Sequence, residues 1–369
     1  MSVAKVNILK KLDAIVGPVL CRLLPGPNLV PDKLPPVSIL LIRPGGIGDA
    51  ALLAPAIRAL RTHYPGCRID VLAERRNAGA FALCPGVDEV LLYDRPAQLM
   101  QVLRRRYDVV IDTEQWHRLS AVVARLVRAS VRIGFGTNER GRLFAHAVDY
   151  AHDWYEADAF LRLLRPLGID KESAAAPFLQ VPAEADRAAT SLLAPLDARD
   201  FVVLFPGASI AERRWPVEKF RAVAQKLLAQ ELAVVVVGGG EDVEAGERIC
   251  AGLDDALNLA GRTSLAGTAA VLRRCRLLVT GDSGVLHIAA GLNVPTVSLF
   301  GPGIAVKWAP RGENHRVVNL DFDCSPCTRF GTTPPCPYGG GCIGDITAEQ
   351  VFEPVAELLD WLDSSPGRS

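Results

Sequence analysis

Residues Ser38-Ile-Leu-Leu-Ile-Arg-Pro-Gly-Gly-Ile-Gly-Asp49 decide the fold, because an apolar strand runs there into a glycine-rich turn that opens a helix. Gly45, Gly46 and Gly48 permit a tight turn and let a ligand approach the backbone closely. The free N–H groups of a helix start bind anions. A second turn of this kind, Gly281-Asp-Ser-Gly-Val-Leu-His287, follows Leu277-Leu-Val-Thr280 in the other half. One turn per half predicts two domains about a cleft, with a phosphorylated donor on one side and a reacting group on the other.

The flanking sequence repeats the pattern. Apolar runs at Ser38–Ile42, Arg68–Leu72, Val90–Tyr93, Asp108–Asp112 and Val131–Phe135 predict strands in the first half. Phe201–Phe205, Ala233–Val237, Leu257–Leu259, Leu277–Thr280 and Thr296–Phe300 do so in the second. Helix-length stretches such as Ala50–Tyr64, Val217–Gln230 and Leu265–Arg274 separate them. Continuous apolar strands alternating with helices imply α/β architecture, with parallel sheets covered on both faces. The boundary is expected within residues 170–199, giving domains at 37–180 and 181–346. A closing helix is expected at Thr347–Leu362, within a terminal segment 347–369 and packed back across the first domain.

Composition narrows the function. In 369 residues Lys+Arg and Asp+Glu both number 41, so no global field favours nucleic acid or an acidic partner. Aromatics are only 6% and do not interleave with basic residues, which argues against nucleic-acid binding. Neither a signal peptide nor an 18-residue apolar run is present, so a cytoplasmic chain is expected. Within residues 1–36, Val6, Leu9, Leu12, Ile15, Val16, Val19, Leu20 and Leu23 stand beside Lys5, Lys10, Lys11 and Arg22. This predicts an amphipathic helix, resting on an anionic membrane surface or packed on its own domain.

Several residues have the chemistry of a site. Asp49 is either a helix cap for residues 51 and 52 or a general base at the carboxyl edge of a sheet. The turn lacks the spacing of the dinucleotide fingerprint. In Phe205-Pro-Gly-Ala-Ser209, Ser209 offers a hydroxyl and an N–H to phosphate, and Arg213 or Arg214 offers a bidentate guanidinium. Asp242 and Glu244, after Gly238-Gly-Gly, suit ribose hydroxyls or the dipole of a helix first turn. Asp282, Ser283, Gly284 and His287 surround the second anion-binding turn. Arg118, Arg140 and Arg142 read as solvated arginines, with acceptor phosphates as the alternative.

These residues resemble a family. Ile39-Leu-Leu-Ile-Arg-Pro-Gly-Gly-Ile-Gly-Asp-Ala50, Phe205-Pro-Gly-Ala208, Arg213-Arg-Trp-Pro216, Asn258-Leu-Ala-Gly-Arg-Thr-Ser-Leu265 and Gly281-Asp-Ser-Gly-Val-Leu-His287 are similar to motifs of bacterial ADP-heptose heptosyltransferases of glycosyltransferase family 9. The resemblance spans about residues 37–362. It implies a GT-B fold of two facing Rossmann-like domains, the first for the acceptor and the second for the nucleotide sugar. It implies inverting, metal-independent transfer of heptose to a lipid-linked lipopolysaccharide inner-core acceptor at the inner face of the cytoplasmic membrane. Asp49 would be the base, and Arg213 stands where the family generally has a lysine on the donor diphosphate. Asp242 or Glu244 would meet the ribose, and Asp282, Ser283, Gly284 and His287 the donor's phosphates and sugar. Rival readings are transfer to a protein hydroxyl, a nucleotide-dependent oxidoreductase, and a non-catalytic protein.

Five of nine cysteines, Cys21, Cys67, Cys84, Cys250 and Cys275, are scattered and read as reduced buried residues. The others, Cys324, Cys327, Cys336 and Cys342, have C-x2-C-x8-C-x5-C spacing in a Gly- and Pro-rich loop, 324–342. Four thiolates suit structural zinc or iron, and the alternatives are free thiols or two disulfides. A protein-glycosylating branch of the resembled family carries a four-cysteine iron-binding finger.

Overall fold

Valine, isoleucine and leucine fill both faces of the central strands, which therefore bury on both sides and pair in parallel. The computed structural model describes residues 3–27, 35–171 and 173–364, with residues 3–10 described in their backbone alone. Two compact units divide the chain, Met1–Phe178 and Leu179–Ser369.

The first unit contains strands β1 (Ser38–Arg43), β2 (Arg68–Ala73), β3 (Glu89–Leu92), β4 (Arg106–Asp112), β5 (Arg128–Phe135) and β6 (His146–Val148). They form one parallel sheet in the order β3-β2-β1-β4-β5-β6. The second contains β7 (Phe201–Phe205), β8 (Ala233–Val236), β9 (Ala256–Asn258), β10 (Leu278–Gly281), β11 (Thr296–Leu299) and β12 (His315–Val318), ordered β12-β11-β10-β7-β8-β9. Counted within its own half, the second order repeats the first. Both are the doubly wound Rossmann order, whose strand order reverses between the first and fourth strands. Ligands bind at the carboxyl ends of strands flanking that point. In the first unit this lies between β1 and β4, where Ile42 pairs with Asp112. In the second it lies between β7 and β10, where Phe205 pairs with Thr280. The glycine-rich turns thus leave the two switch points.

Three sequence expectations change. The run Ala50–Tyr64 is not one helix but belongs to two, Ile47–Leu52 and Ala54–His63, with Leu53 ending one and capping the next. Pro55, in the first turn of the second helix, lacks the N–H that a continuous helix would need there. Short edge strands β6 and β12 were not anticipated. The closing helix, Ala348–Ser364, places Val351, Val355, Leu358 and Leu359 in the second sheet's core with Val202, Trp215 and Phe220. Its apolar face is therefore committed to its own unit. Trp215 fastens this arrangement, since its Nε1–H donates to the Ile346 carbonyl at 2.9 Å.

Helix Val3–Leu23 lies ahead of β1 and packs on helix Arg118–Leu126. Cys21 is fully buried in the first core. Asp13 is buried too and accepts the Leu119 N–H at 2.7 Å. Val6, Leu9, Lys5 and Lys10, expected to shape this helix, lie outside the described side chains. No described helix is long and apolar enough to cross a membrane.

Candidate functional site

At the first switch point Gly45 has φ +116°, a conformation strained for any side chain, and it turns the chain from β1 into helix Ile47–Leu52. Gly46 caps that helix, and Asp49 stands in its first turn rather than at the cap. Its Oδ2 accepts the Gly46 N–H at 3.1 Å, so the carboxylate reaches back over the turn. Asp49 is half-buried at the carboxyl end of β1. The cap reading is corrected: Asp49 braces the turn from inside the helix, at the carboxyl edge of the sheet.

Beneath it is a buried charged network. Arg43, 1% exposed, donates to the carbonyls of Pro44 and Thr113 and pairs with Glu114 at 3.2 Å. Burial works against its charge, but the carboxylates of Asp49, Glu114, Glu156 and Asp112 together hold its pKa above the ordinary arginine value. Burial likewise opposes ionisation of Glu114. Arg43, His117, Arg140 and the Trp116 N–H overcome it and hold that carboxyl down to about 2. Glu114 Oε1 also accepts the N–H groups of Gln115, Trp116 and His117 at 3.0, 3.1 and 3.3 Å, shaping the loop after β4. Asp112 receives Arg140 at 2.6 Å and the Ser120 hydroxyl at 2.9 Å. Burial nevertheless pushes its carboxyl up. Arg140 is fully buried, not solvated as expected, because Asp112 and the Glu114 carbonyl take its guanidinium.

At the second switch point, Arg213 ends a short 3-10 turn, Ala211–Arg213, and its Nη1 lies 2.9 Å from Asp282 Oδ2. Asp282 is 5% exposed. A Cβ on Gly303 would collide with that carboxylate, so glycine leaves it room. Ser283 caps helix Gly284–Gly291, where its hydroxyl accepts the Leu286 N–H at 3.3 Å. His287, in the first turn, is buried with its ring 5.8 Å from Trp308. Ser209 is exposed on the β7 loop, and the exposed Arg214 is spent on the Ala208 carbonyl at 2.9 and 3.1 Å. Asp242 is buried beside Gly207 and Gly238 and accepts the Gly239 N–H at 2.8 Å, whereas Glu244 is exposed. Burial raises the Asp242 carboxyl above the usual range. The structure thus assembles Arg213, Asp282, Ser283, Gly284 and His287 around one helix start. It sets Asp242 in a bracing role within the neighbouring loop.

All nine cysteines are free thiols. Burial lifts the Cys327 thiol, and Cys324 and Cys336 lift it further. Cys342 rises for the same reasons, with Cys324, Cys327 and Cys336 as its neighbours. The four thiols share the segment 324–342. Among the described residues, however, no three His, Cys, Asp or Glu side chains are arranged to hold a metal ion.

Asp112, Glu114 and Glu156 were not singled out from the sequence as site residues. For Asp112 and Glu114 the signal lay in the switch point itself: Asp112 ends the strand that pairs with β1, and Glu114 follows it.

Two doubly wound units, one with a carboxylate at its switch point and the other with an arginine-aspartate pair at a helix start, define a nucleotide-sugar-transferase architecture of the GT-B class. The chain belongs to glycosyltransferase family 9 (heptosyltransferase), whose profile matches residues 97–336. It is an enzyme of glycosyl transfer, and the oxidoreductase and non-catalytic readings fall. It is 28% identical over 353 residues to lipooligosaccharide heptosyltransferase 2 of Haemophilus influenzae, which covers 88% of this chain and 99% of the relative. It is also 28% identical to lipopolysaccharide heptosyltransferase 2 of Escherichia coli over 348 residues, 88% of this chain and 99% of the relative. The solved ADP-heptose lipopolysaccharide heptosyltransferase II of Escherichia coli superposes with TM-score 0.71 at 25% identity, covering 89% of this chain and all of that one. A family 9 glycosyltransferase of Veillonella parvula shares the fold, with TM-score 0.72 at 21% identity over 89% of this chain and 97% of the other.

Proposed function

We propose that this chain transfers a heptose from ADP-heptose to a hydroxyl of a lipopolysaccharide inner-core acceptor, with inversion and without a catalytic metal. The names of the Haemophilus and Escherichia relatives support the donor and acceptor class. The observation that carries the reading is Asp49, held by the Gly46 N–H at the carboxyl end of β1. Its carboxylate takes the acceptor's hydroxyl proton as the acceptor oxygen bonds to the anomeric carbon, and the bond from that carbon to the β-phosphate oxygen breaks. The departing ADP gathers negative charge. Arg213 and the N–H groups opening helix Gly284–Gly291 lie in one unit and suit that charge. Ser209 would add a hydroxyl to the phosphates, and exposed Glu244 suits the ribose better than buried Asp242 does. Because the acceptor is lipid-anchored, the enzyme would work at the inner face of the cytoplasmic membrane.

The test is Asp49→Ala assayed with ADP-heptose and a core acceptor. Transfer should fall at least about a thousandfold while ADP affinity stays within twofold. Near-wild-type turnover would remove Asp49 from the chemistry. Heptose recovered on protein rather than on core oligosaccharide would redirect the acceptor. The metal reading of Cys324, Cys327, Cys336 and Cys342 rests on donor chemistry alone, four thiols on one short loop. Stoichiometric zinc or iron in the purified protein supports a structural clip, and its absence ends that reading.

A further inference from the structure

The helix ahead of β1 is doubly faced. Asp13, Gly17 and Cys21, spaced by four, are buried toward the first unit. On another side Leu12, Ile15, Val19 and Leu23 are 46%, 73%, 53% and 75% exposed. At about 100° per residue these four fall within roughly 80° of arc, a continuous apolar stripe. Lys11 and Arg22 project along one edge of that arc, and Arg22 makes an exposed pair with Glu139 at 3.1 Å. The helix has a single acidic residue, Asp13, and that one is turned inward, where it takes the Leu119 N–H and lies 3.6 Å from His117. Every other charge in Val3–Leu23 is basic: Lys5, Lys10, Lys11 and Arg22. Relatives matched over 99% of their length cover only 88% of this chain, so part of it has no counterpart in them. The motif resemblance begins at Ile39, beyond the end of this helix.

We propose that helix Val3–Leu23 docks the enzyme on an anionic phospholipid bilayer, with Leu12, Ile15, Val19 and Leu23 entering the headgroup–acyl boundary. Charge complementarity selects this occupant, since an apolar stripe edged by lysine and arginine with its acid hidden is the pattern of an interfacial helix. The helix is too short of apolar residues to span, so it lies in the surface plane. Asp13 fastens it at His117 and Leu119, beside the loop that Glu114 shapes after β4. Docking therefore brings the bilayer to the same unit as Asp49. Its purpose, delivery of a lipid-anchored acceptor, rests on the proposed function, but the docking itself does not.

The full chain is mixed with sedimenting vesicles of phosphatidylglycerol and phosphatidylcholine, or of phosphatidylcholine alone. The wild type should sediment with the anionic vesicles. The double variant Ile15→Asp, Val19→Asp should lose at least about tenfold in partition, given the apolar area removed. Lys11→Gln should lose about fivefold, and added salt should mimic it. All variants should transfer sugar to a delipidated, soluble acceptor at the wild-type rate, which shows that they are folded. Absent wild-type binding, or a double variant that binds equally well, overturns the proposal. So does light scattering that finds a wild-type dimer dissociated by the same substitutions, because the stripe would then bury against a second copy. Vesicle binding as expected, without transfer by any protein, would sink the proposed function and leave the docking intact.

Discussion

Glu114→Gln tests the network beneath Asp49 most directly. The carboxyl of Glu114 is buried against Arg43 and sits near 2, against an ordinary value of 4.5. A folded pKa below the unfolded one stabilises the protein above the unfolded value, and that stability is lost as pH falls toward the folded value. A depression of about 2.5 units is worth about 3 kcal/mol at pH 7. The amide keeps the shape and one acceptor for the loop N–H groups, but it leaves the Arg43 charge without its partner, so the loss should approach that figure. The same linkage makes the difference between wild type and variant nearly constant down to about pH 5 and about half as large near pH 3. Denaturant unfolding resolves it if the two units are followed separately, with Trp116 and Trp154 in the first unit and Trp215, Trp308 and Trp361 in the second. Only the first transition should move. Turnover should fall as well, because an unpaired Arg43 is free to turn its guanidinium on Asp49. A loss below about 1 kcal/mol at pH 7, or one that does not shrink in acid, would show that Glu114 is not ionised against Arg43.

Three further outcomes are expected. Gly303→Ala forces the Asp282 carboxylate away from Arg213 and should weaken ADP binding about tenfold, read by calorimetry; unchanged affinity would separate that pair from donor binding. Trp215→Phe keeps an aromatic ring in place but removes one of two donors to the Ile346 carbonyl, leaving Lys219, so the second unit should lose about 1 kcal/mol while the first unfolds unchanged. Burial lifts the Cys67 thiol to about 11 and that of Cys84 to about 12. Both should resist alkylation at pH 8 in the folded protein and react only on unfolding, as mass mapping would reveal.

The central strands were readable because burial on both faces leaves no choice of residue: Ile39 to Ile42 and Val202 to Leu204 carry their assignment in composition alone. Edge strands β6 and β12 were not readable. Each has three or four residues and one neighbouring strand, and His146, Ala147, Arg316 and Val317 show the mixed polarity of a half-covered ribbon. The glycine turns and the anion-binding helix start were legible, since backbone geometry demands particular residues there. The network of Asp112, Glu114, Arg140 and Glu156 was not. Asp112 ends β4, Glu114 follows it, Arg140 opens a turn after β5 and Glu156 starts a later helix, so pairing of β4 with β5 and the folded unit, not sequence, make them neighbours. Arg140 shows the cost of reading charges singly, because an arginine among polar residues looks solvated until the carboxylate that buries it is located.

The commitment of Ala348–Ser364 to the second core has a consequence for synthesis. Everything that completes the first sheet has left the ribosome by Phe178, so that half can fold while translation continues. The second half cannot close until the chain has been made past Leu358, because Val351, Val355 and Leu358 fill its interior and Trp215 waits for the carbonyl of Ile346. A nascent chain stalled before residue 346 should therefore present a finished amino half tethered to an open, chaperone-binding carboxyl half.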